Sequence, residues 1–338
     1  MSPRGEATLP AAVAAFLEQR RDPGASREEV RPLAGDASTR AYFRLVDARG
    51  GSRVLALYPE RFAPDELPYL VVGRLLEGWD LPVPRVLDVD GPRGIVVIED
   101  LGDVSLQQAL VSAGESEREA YYREAVGQLA RLQRAAAGGP RTAACFSLAF
   151  DVEKLAWELD FFLDHFVCGL RGARPSEEER SRLRQAARRL CEEIAAWPRV
   201  LCHRDFHSRN LMLQAGSLRW IDFQDARLGP ATYDLASLLR DSYVSLPEGL
   251  VEELAESFRS QALPGEARPV FTRRLELVSV QRNLKALGTF GFMARERGKD
   301  HYLRYVAGTL KNARRNLRRH PELEALRRGL ARHIEELG

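Results

Sequence analysis

Lysine and cysteine are both scarce in this 338-residue sequence, and each scarcity narrows the chemistry. Only four of the 50 basic residues are lysines, so a reaction that requires a lysine has few candidates: Lys154, Lys285, Lys299 and Lys311. The four cysteines show no Cys-x-x-Cys spacing, which argues against a zinc site or a redox pair and favours reduced, mostly buried thiols.

Long apolar runs and excess charge are also missing. No apolar run approaches the about 20 residues that span a bilayer, and a net charge of +2 gives no electrostatic case for binding nucleic acid. Near the amino terminus, Glu18 and two arginines directly follow a short apolar patch, which favours an amphipathic helix over a signal peptide. We therefore expect a cytoplasmic protein with no membrane, nucleic-acid or obligate protein partner.

The hydrophobic pattern changes near Gly102 and Asp103. Before this point, alternating segments around turns at 48–51 and 90–92 predict two hairpins with a helix at 67–76 between them. After it, helical spacing dominates over 116–136, 151–167, 175–196 and 271–296, and Pro321 separates a last pair of helices. We predict an α+β protein with a small antiparallel N-lobe, residues 1–102, that follows an N-terminal helix, and a mostly helical C-lobe, residues 103–338.

One short stretch, LCHRDFHSRNLM at 201–212, concentrates polar side chains between apolar segments. Its His203, Asp205 and Asn210 fit the kinase pattern H-R-D-L-x-x-x-N, and Asp222 follows Asp205 by 17 residues, after a predicted strand–turn–strand. A carboxylate on such a loop can accept a proton from a hydroxyl nucleophile, while amide and carboxylate oxygens can hold Mg²⁺ between phosphate oxygens. A capped turn beside an unrelated aspartate is the alternative interpretation.

Three weaker signals accompany this loop. Gly35, Ser38 and Thr39, ahead of the first hairpin, can present backbone N–H groups to phosphates, although a plain surface turn explains them equally well. The run Glu99–Leu101 ends a buried strand and either offers backbone groups to an adenine edge or forms a linker turn. Asp234 begins an apolar helical face and can cap the loop, its own helix, or both.

Together these segments resemble the aminoglycoside phosphotransferase and choline kinase group, over about residues 30–310. The strings GDASTRAYFRL, VIEDLG, CHRDFHSRNLM, IDFQDARLGPATYDLASLLRDSY and QRNLKALGTF are similar to those of bacterial anomeric kinases of N-acetylmuramate and N-acetylglucosamine. The resemblance implies a protein-kinase-like bilobal fold that carries the catalytic loop and the acceptor site in the C-lobe. It also implies a sugar 1-phosphate product for cell-wall recycling and UDP-sugar supply.

The resemblance assigns roles to individual residues. Asp205 matches the catalytic base, Asn210 and Asp222 match the Mg²⁺ ligands, and His203 and Asp234 have structural roles. The ATP-binding residues are then Gly35, Asp36, Ser38, Thr39, Arg40, Glu99, Asp100 and Leu101. Polar residues near the loop and on later helices become candidates for sugar contacts: His207, Gln224, Asp225, Arg240, Asp241, Gln281, Arg282 and Lys285. Ordinary surface polarity is the alternative for these candidates.

One expected feature is missing. Kinases of this fold usually carry a strand lysine on the nucleotide phosphates, yet the matching strand here reads RVLALYPE and no lysine precedes Lys154. An arginine such as Arg40 or Arg44 can take that place, or Mg²⁺ and backbone donors suffice. The narrower group also lacks the lysine, so its absence does not indicate lost activity.

We therefore expect an ATP- and Mg²⁺-dependent kinase of an amino sugar, acting on the anomeric hydroxyl. A second possibility keeps the enzyme class and changes the acceptor to an aminoglycoside, a choline-like compound or another small alcohol. A third, motivated by the missing lysine, is a nucleotide-binding pseudokinase. The intact Asp205, Asn210 and Asp222 weigh against this third interpretation.

Overall fold

The computed structural model describes residues 9–21, 28–33 and 39–338. The chain forms two compact units, Met1–Gly102 and Asp103–Gly338. Among the described residues, no helix is both long and apolar enough to cross a membrane. All four cysteines are free thiols, and three of them are buried, as the sequence predicts: Cys145, Cys191 and Cys202.

The described part of the first unit is built on a five-stranded antiparallel sheet in the order β1-β2-β3-β5-β4. Its strands are β1 (Glu29–Leu33), β2 (Ala41–Val46), β3 (Ser52–Leu57), β4 (Val86–Asp90) and β5 (Ile95–Glu99). Both predicted hairpins form, as β2–β3 and β4–β5, although β5 also pairs with β3. The edge strand β1 was not predicted, because it contains Pro32 and its residues are mostly exposed. Proline is tolerated at a sheet edge.

A helix covers the apolar side of this sheet. In α1 (Ala11–Gln19), Val13 and Phe16 pack with Phe43, Leu55 and other buried strand residues. Beyond the end of α1, Arg20 donates from Nε to Asp88 of β4 over 2.6 Å. The predicted helix between the hairpins is α2 (Pro68–Gly78), and it buries Leu70, Val72 and Leu76 among other residues. The apolar spacing at 67–76 therefore locates this helix to within two residues.

The second unit is mostly helical. In chain order its α-helices are α3 (Leu106–Ala109), α4 (Glu115–Gly138), α5 (Val152–Phe162), α6 (Glu177–Ala196), α7 (Tyr233–Leu239), α8 (Glu248–Ala262), α9 (Arg268–Arg297), α10 (Val306–Arg319) and α11 (Glu324–Ala331). Two small ribbons interrupt them, β6 (Arg199–Cys202) with β9 (Arg227–Pro230) and β7 (Leu211–Gln214) with β8 (Ser217–Trp220). The ribbons bracket the polar loop at 203–210.

One helix differs from its predicted form. The helix expected at 151–167 is α-helical only to Phe162 and continues as a π-helix over Leu163–Leu170. Here α9 passes very close, since a Cβ on Gly291 would lie 2.2 Å from the carbonyl oxygen of His165. Only glycine allows this approach. Apolar spacing does not distinguish an α-helix from a π-helix, so this change could not be predicted from the pattern.

Candidate active site

The loop from His203 to Asn210 alternates between buried and partly exposed residues. Phe206 and Ser208 have no exposed surface, and the Phe206 ring lies 5.1 Å from the buried Trp220 ring of β8. Asp205, His207 and Arg209 are partly exposed. The buried side chains hold the loop against the protein interior. The side chains between them are partly exposed to solvent.

Asp234, at the start of α7, holds the first half of the loop. Its carboxylate accepts the backbone N–H of His203 at 2.6 Å and that of Arg204 at 2.9 Å. Burial raises the pKa of Asp234 to about 7, although these two hydrogen bonds oppose the shift. Arg204 has a φ of +86°, an uncommon conformation for a residue with a side chain. The two hydrogen bonds help to offset its cost.

His203 supports the loop from inside. Its ring is 2% exposed, and Nε2 lies 3.1 Å from the carbonyl oxygen of Ile221. Because a carbonyl only accepts, Nε2 carries the hydrogen. Burial lowers the pKa of His203, against the attraction of nearby aspartates. The position and partner of His203 suit the structural role implied by the resemblance.

Asp241, just beyond α7, holds the second half of the loop. It accepts from the Ser208 hydroxyl at 2.6 Å and the Ser208 N–H at 3.0 Å, and its other oxygen accepts the N–H of Tyr243. Burial raises the pKa of Asp241 to about 6, against these hydrogen bonds. Sequence reasoning considered Asp241 for sugar binding. Its three hydrogen bonds and 5% exposure make it a loop anchor instead.

Three cations surround the carboxylate of Asp205. Lys285 Nζ lies 3.1 Å and Arg282 Nη2 3.7 Å from Oδ1, while Arg204 Nε lies 3.6 Å from Oδ2. Burial by itself would raise the pKa of Asp205, but these positive charges outweigh it and hold the pKa well below its usual range. Asp205 is therefore ionised. Lys285, one of only four lysines, is 80 positions away in the chain, on α9.

The amide of Asn210 lies between Asp205 and Asp222. Its Nδ2 donates to the backbone oxygen of Asp205 over 2.9 Å and lies 3.5 Å from Asp222 Oδ2, which leaves Oδ1 as a possible metal ligand. Gln224 Nε2 donates to Asp222 Oδ1 over 2.7 Å. These hard oxygen donors suit Mg²⁺. In the described part of the chain, no cluster of three His, Cys, Asp or Glu side chains is arranged for a metal, and Mg²⁺ commonly completes its shell with phosphate oxygens and water.

Other predicted sugar contacts are distributed unequally around the loop. Arg282 lies close to Asp205, with its guanidinium 4.7 Å from the Tyr233 ring centroid and Nη1 donating to the Arg204 carbonyl oxygen over 2.8 Å. Asp225 accepts from Arg204 at 2.5 Å, but its side chain is 53% exposed. It therefore lies at the margin of the cation cluster.

Two predicted contacts are not placed at Asp205. Gln281 is fully buried and donates to Glu158 Oε2 over 2.9 Å, so it belongs to the helical core. Arg240 points to the N-terminal end of α8, where it binds Glu248 at 2.7 Å and 3.0 Å. Polarity in an apolar helix suggested both residues, but a long-range partner explains each of them.

The first unit contains the predicted nucleotide-binding residues. Thr39 and Arg40 are described, whereas Gly35, Asp36 and Ser38 lie outside the described residues. The Arg40 guanidinium lies 5.8 Å from the ring centroid of Tyr42 and 5.5 Å from that of Tyr58. These two rings set the direction of the Arg40 side chain at the start of β2.

The run Glu99–Leu101 follows a different pattern. The N–H of Glu99 donates to the Arg85 carbonyl oxygen over 2.9 Å, and Leu101 is buried. Asp100 accepts from Arg44 at 2.6 Å and 3.1 Å. Burial opposes the ionisation of Asp100, yet the hydrogen bonds from Arg44 and Gly102 lower its pKa. Arg44, one of the two proposed replacements for the strand lysine, is thus held by Asp100.

Arg209 is the site residue that sequence reasoning missed. Its guanidinium lies 4.9 Å from the ring centroid of Tyr243 and 5.5 Å from that of Tyr302, and Nη1 donates to the Tyr302 hydroxyl over 3.2 Å. The signal in the sequence was its position directly before Asn210. Its partners are distant in the chain, so they could not be identified from local pattern.

Comparison with known proteins gives a consistent picture. The phosphotransferase enzyme family model matches residues 29–270. An N-acetylmuramate/N-acetylglucosamine kinase of Neisseria meningitidis is 36% identical over 302 residues, covering 87% of each chain. A protein of the same name from Pseudomonas aeruginosa is 31% identical over 305 residues, covering 88% of this chain and 86% of the relative.

Solved structures share the fold at lower identity. An ADP-bound aminoglycoside phosphotransferase aligns with a TM-score of 0.59 and 14% identity, covering 94% of this chain and 99% of its own. A choline/ethanolamine kinase family protein from Mesorhizobium loti aligns with a TM-score of 0.57 and 17% identity, covering 89% and 92%. The predicted fold class, with an antiparallel first part and a helical second part, is confirmed.

Proposed function

The chain belongs to the phosphotransferase enzyme family, and from this premise we propose that it is an ATP- and Mg²⁺-dependent kinase of an amino sugar. The proposed reaction transfers the γ-phosphoryl group of ATP to the anomeric hydroxyl of N-acetylmuramate or N-acetylglucosamine. The observation that carries the proposal is the Asp205 carboxylate among three cations, with the Asn210 amide between it and Asp222. The names of relatives at 31% and 36% identity support the choice of sugar.

In this proposal Asp205 orients the acceptor hydroxyl and accepts its proton as the phosphoryl group leaves ATP. Its low pKa suits positioning better than strong basicity, since a weak base accepts the proton only late in the transfer. Phosphoryl transfer relies mainly on positioning and on electrostatic stabilisation, so a strong base is not required. The Asp234 and Asp241 anchors keep the loop in place and cost no reorganisation during the reaction.

Asn210 and Asp222 are the proposed ligands of Mg²⁺, which when bound would neutralise charge on the β- and γ-phosphates. Gln224 is proposed to hold Asp222 in position, because its Nε2 donates to the carboxylate oxygen Oδ1. This hydrogen bond leaves Oδ2 of Asp222 on the side that faces Asn210. In this proposal the Asn210 amide oxygen and an Asp222 carboxylate oxygen would bind the ion from two segments of the chain.

Lys285 is proposed to act on the same reaction centre. A hydroxyl that is hydrogen-bonded to Oδ1 of Asp205 would lie near Lys285 Nζ, which is 3.1 Å from that oxygen. A lysine there can offset negative charge on the transferring phosphoryl group. Its place on α9 offers one answer to the missing strand lysine. Arg282 supports it from the same helix and keeps Asp205 ionised.

The nucleotide is proposed to bind the residues that the resemblance assigns in the first unit. Gly35, Asp36, Ser38, Thr39 and Arg40 would contact phosphates, and the Glu99–Leu101 segment would present backbone groups to adenine. Arg44 is not proposed for phosphate binding, because its side chain is held by Asp100. ATP is available in the cytoplasm, which is the location expected for this protein from its sequence.

The alternative acceptors are an aminoglycoside or a choline-like cation. Solved structures of the same fold carry names that refer to these acceptors. A cationic acceptor favours an acidic pocket, whereas the surroundings of Asp205 contain Arg204, Arg282 and Lys285. The positive charge around the loop favours a neutral or acidic sugar. A pseudokinase has no need of an ionised Asp205.

The test is ADP release by the purified protein with ATP and Mg²⁺ against a panel of acceptors. The panel holds N-acetylmuramate, N-acetylglucosamine, glucose, choline and kanamycin. We expect turnover with one or both N-acetyl sugars at a kcat/KM at least ~10-fold above glucose. Turnover with kanamycin or choline alone would keep the kinase activity and refute the choice of sugar.

A further inference from the structure

The partly exposed residues of the loop include two that the proposed reaction does not use, His207 and Arg209. Asp205, His207 and Arg209 alternate with the fully buried Phe206 and Ser208. Asp205 has a role in the reaction, and Asn210 follows as a proposed metal ligand. Arg209 lies directly before Asn210 in the same loop and is partly exposed, as Asp205 is.

The Arg209 side chain is oriented by aromatic partners. Tyr243 lies just after α7, and Tyr302 lies in the turn before α10. The guanidinium is near both rings, at 4.9 Å and 5.5 Å from their centroids, and donates to the Tyr302 hydroxyl. Stacking on aromatic faces fixes the plane of a guanidinium and keeps its charge, which is how arginine is prepared for planar anions.

His207 connects this arginine to the reaction centre. Its ring lies 5.1 Å from that of Tyr243, and its buried Nδ1 has no hydrogen-bond partner among the residues that the structure describes. Burial lowers the pKa of His207 to about 3, and the charges of both Asp205 and Arg209 act on it. A neutral imidazole with an unsatisfied nitrogen therefore lies near the base and near the arginine. A polar ligand that extends from Asp205 could satisfy that nitrogen.

N-acetylmuramate differs from N-acetylglucosamine by a lactyl ether that carries a carboxylate. Resting on the proposed function, we propose that Arg209, oriented by Tyr243 and Tyr302, binds this carboxylate and makes the enzyme prefer the acidic sugar. Arginine pairs with a carboxylate through parallel N–H donors.

The experiment compares kcat/KM for the two sugars in the wild-type protein, Arg209→Met and Arg209→Lys. For Arg209→Met we expect at least a 10-fold loss with N-acetylmuramate, mainly in KM, and less than a 3-fold change with N-acetylglucosamine. Arg209→Lys should lie between the two, since it keeps the charge and loses the planar pair of donors. The ratio of the two sugars is measured on one preparation, so partial misfolding cancels.

A matched protein control is Arg297→Gln. Arg297 is exposed and lies 5.5 Å from the Phe292 ring near the C-terminal end of α9, so this variant removes a cation from an aromatic face that does not belong to the loop. We expect an unchanged substrate ratio. A matched ligand control is the methyl ester of N-acetylmuramate, which the wild-type protein should use at least 10-fold less well than the free acid. Arg209→Met should treat acid and ester alike.

The outcomes separate the two levels of the hypothesis. An equal loss with both sugars, or no change with either, would overturn the carboxylate role of Arg209 and leave the sugar kinase standing. A wild-type protein that phosphorylates neither sugar would overturn the proposed function, and the inference would fall with it.

Discussion

The two halves of the loop at 203–210 are held in similar ways and surrounded by different chemistry. In the first half, His203 and Arg204 donate backbone N–H groups to Asp234; in the second, Ser208 donates its N–H and hydroxyl to Asp241. Both aspartates flank the short helix α7. The first half faces three cations, whereas the second faces tyrosine rings.

This difference suggests a division of labour. The short helix α7 positions both halves of the loop through these two aspartates. The distance between Asp205 and Arg209 therefore depends on this helix. The half of the loop with three nearby cations suits phosphoryl transfer, and the half beside the tyrosine rings suits recognition of a bulky acceptor. Changes in the first half should therefore lower kcat, and changes in the second should alter selectivity or stability.

The largest effect is expected for Asp205→Asn. The amide keeps the shape of the side chain but removes its charge, so we expect kcat to fall at least ~10²-fold, the lower end for loss of a general base. Steady-state kinetics with the preferred sugar provide the measurement. Asp164→Asn, an exposed aspartate paired with Arg180, is the control and should keep normal kcat. Near-normal turnover in Asp205→Asn would remove that residue from the mechanism.

The next largest effect is expected for Asp234, the anchor of the first half of the loop. Asp234→Ala leaves two buried N–H groups without an acceptor, which lowers the free energy of unfolding by about 2–4 kcal/mol. Ser208→Ala removes only one hydroxyl bond to Asp241 and should cost about 1 kcal/mol. Urea denaturation of both variants measures the difference. Equal losses would contradict the view that the cost follows the number of loop hydrogen bonds removed.

The next largest effect is expected when a proposed Mg²⁺ ligand is removed. Asp222→Ala removes a carboxylate ligand, and we expect the Mg²⁺ concentration for half-maximal activity to rise at least ~10-fold. Asp225→Asn, three positions away and largely exposed, is the matched comparison for the metal titration and should leave it unchanged. An unaltered metal requirement in Asp222→Ala would show that Asp222 is not a ligand.

The most gradual effect concerns the pH dependence of stability at the second anchor. The pKa of Asp241 is about 6 in the fold, above its unfolded value near 3.8, so its stabilising contribution is complete at low pH. That contribution declines as the pH rises from about 4 through 6, by at most about 1.4 kcal/mol per pH unit. Asp241→Asn lacks this dependence. The stability difference between wild type and variant, measured in urea at each pH, should therefore shift in favour of the variant across that window.

Local pattern was enough to locate much of the fold. Alternation around the turns at 48–51 and 90–92 predicted both hairpins, and helical spacing predicted α9 to within three residues at either end. Strand β1 was not predicted, because Pro32 and its exposed neighbours resemble a loop. The π-helix was missed because apolar spacing does not distinguish it from an α-helix, and Gly291, which packs against it, lies more than 100 positions further along the chain.

The site was predictable where its residues share one short segment. The spacing of Asp205, Asn210 and Asp222 carries a recognisable chemical pattern, and the structure brings the three together. The partners of Asp205 and Arg209 could not be predicted, because α9 and the tyrosines reach the loop only through tertiary packing. Polarity alone also suggested Arg240 and Gln281, whose partners are Glu248 and Glu158.

The most direct test of the central claim is the position of the new phosphate. The wild-type protein and Asp205→Asn would each be incubated with ATP, Mg²⁺ and an N-acetyl sugar, and the products examined by ³¹P and ¹H NMR. We predict a phosphate coupled to the anomeric proton with the wild-type protein and at least ~10²-fold slower formation with the variant. A phosphate on another hydroxyl, or equal rates for the two proteins, would contradict the account.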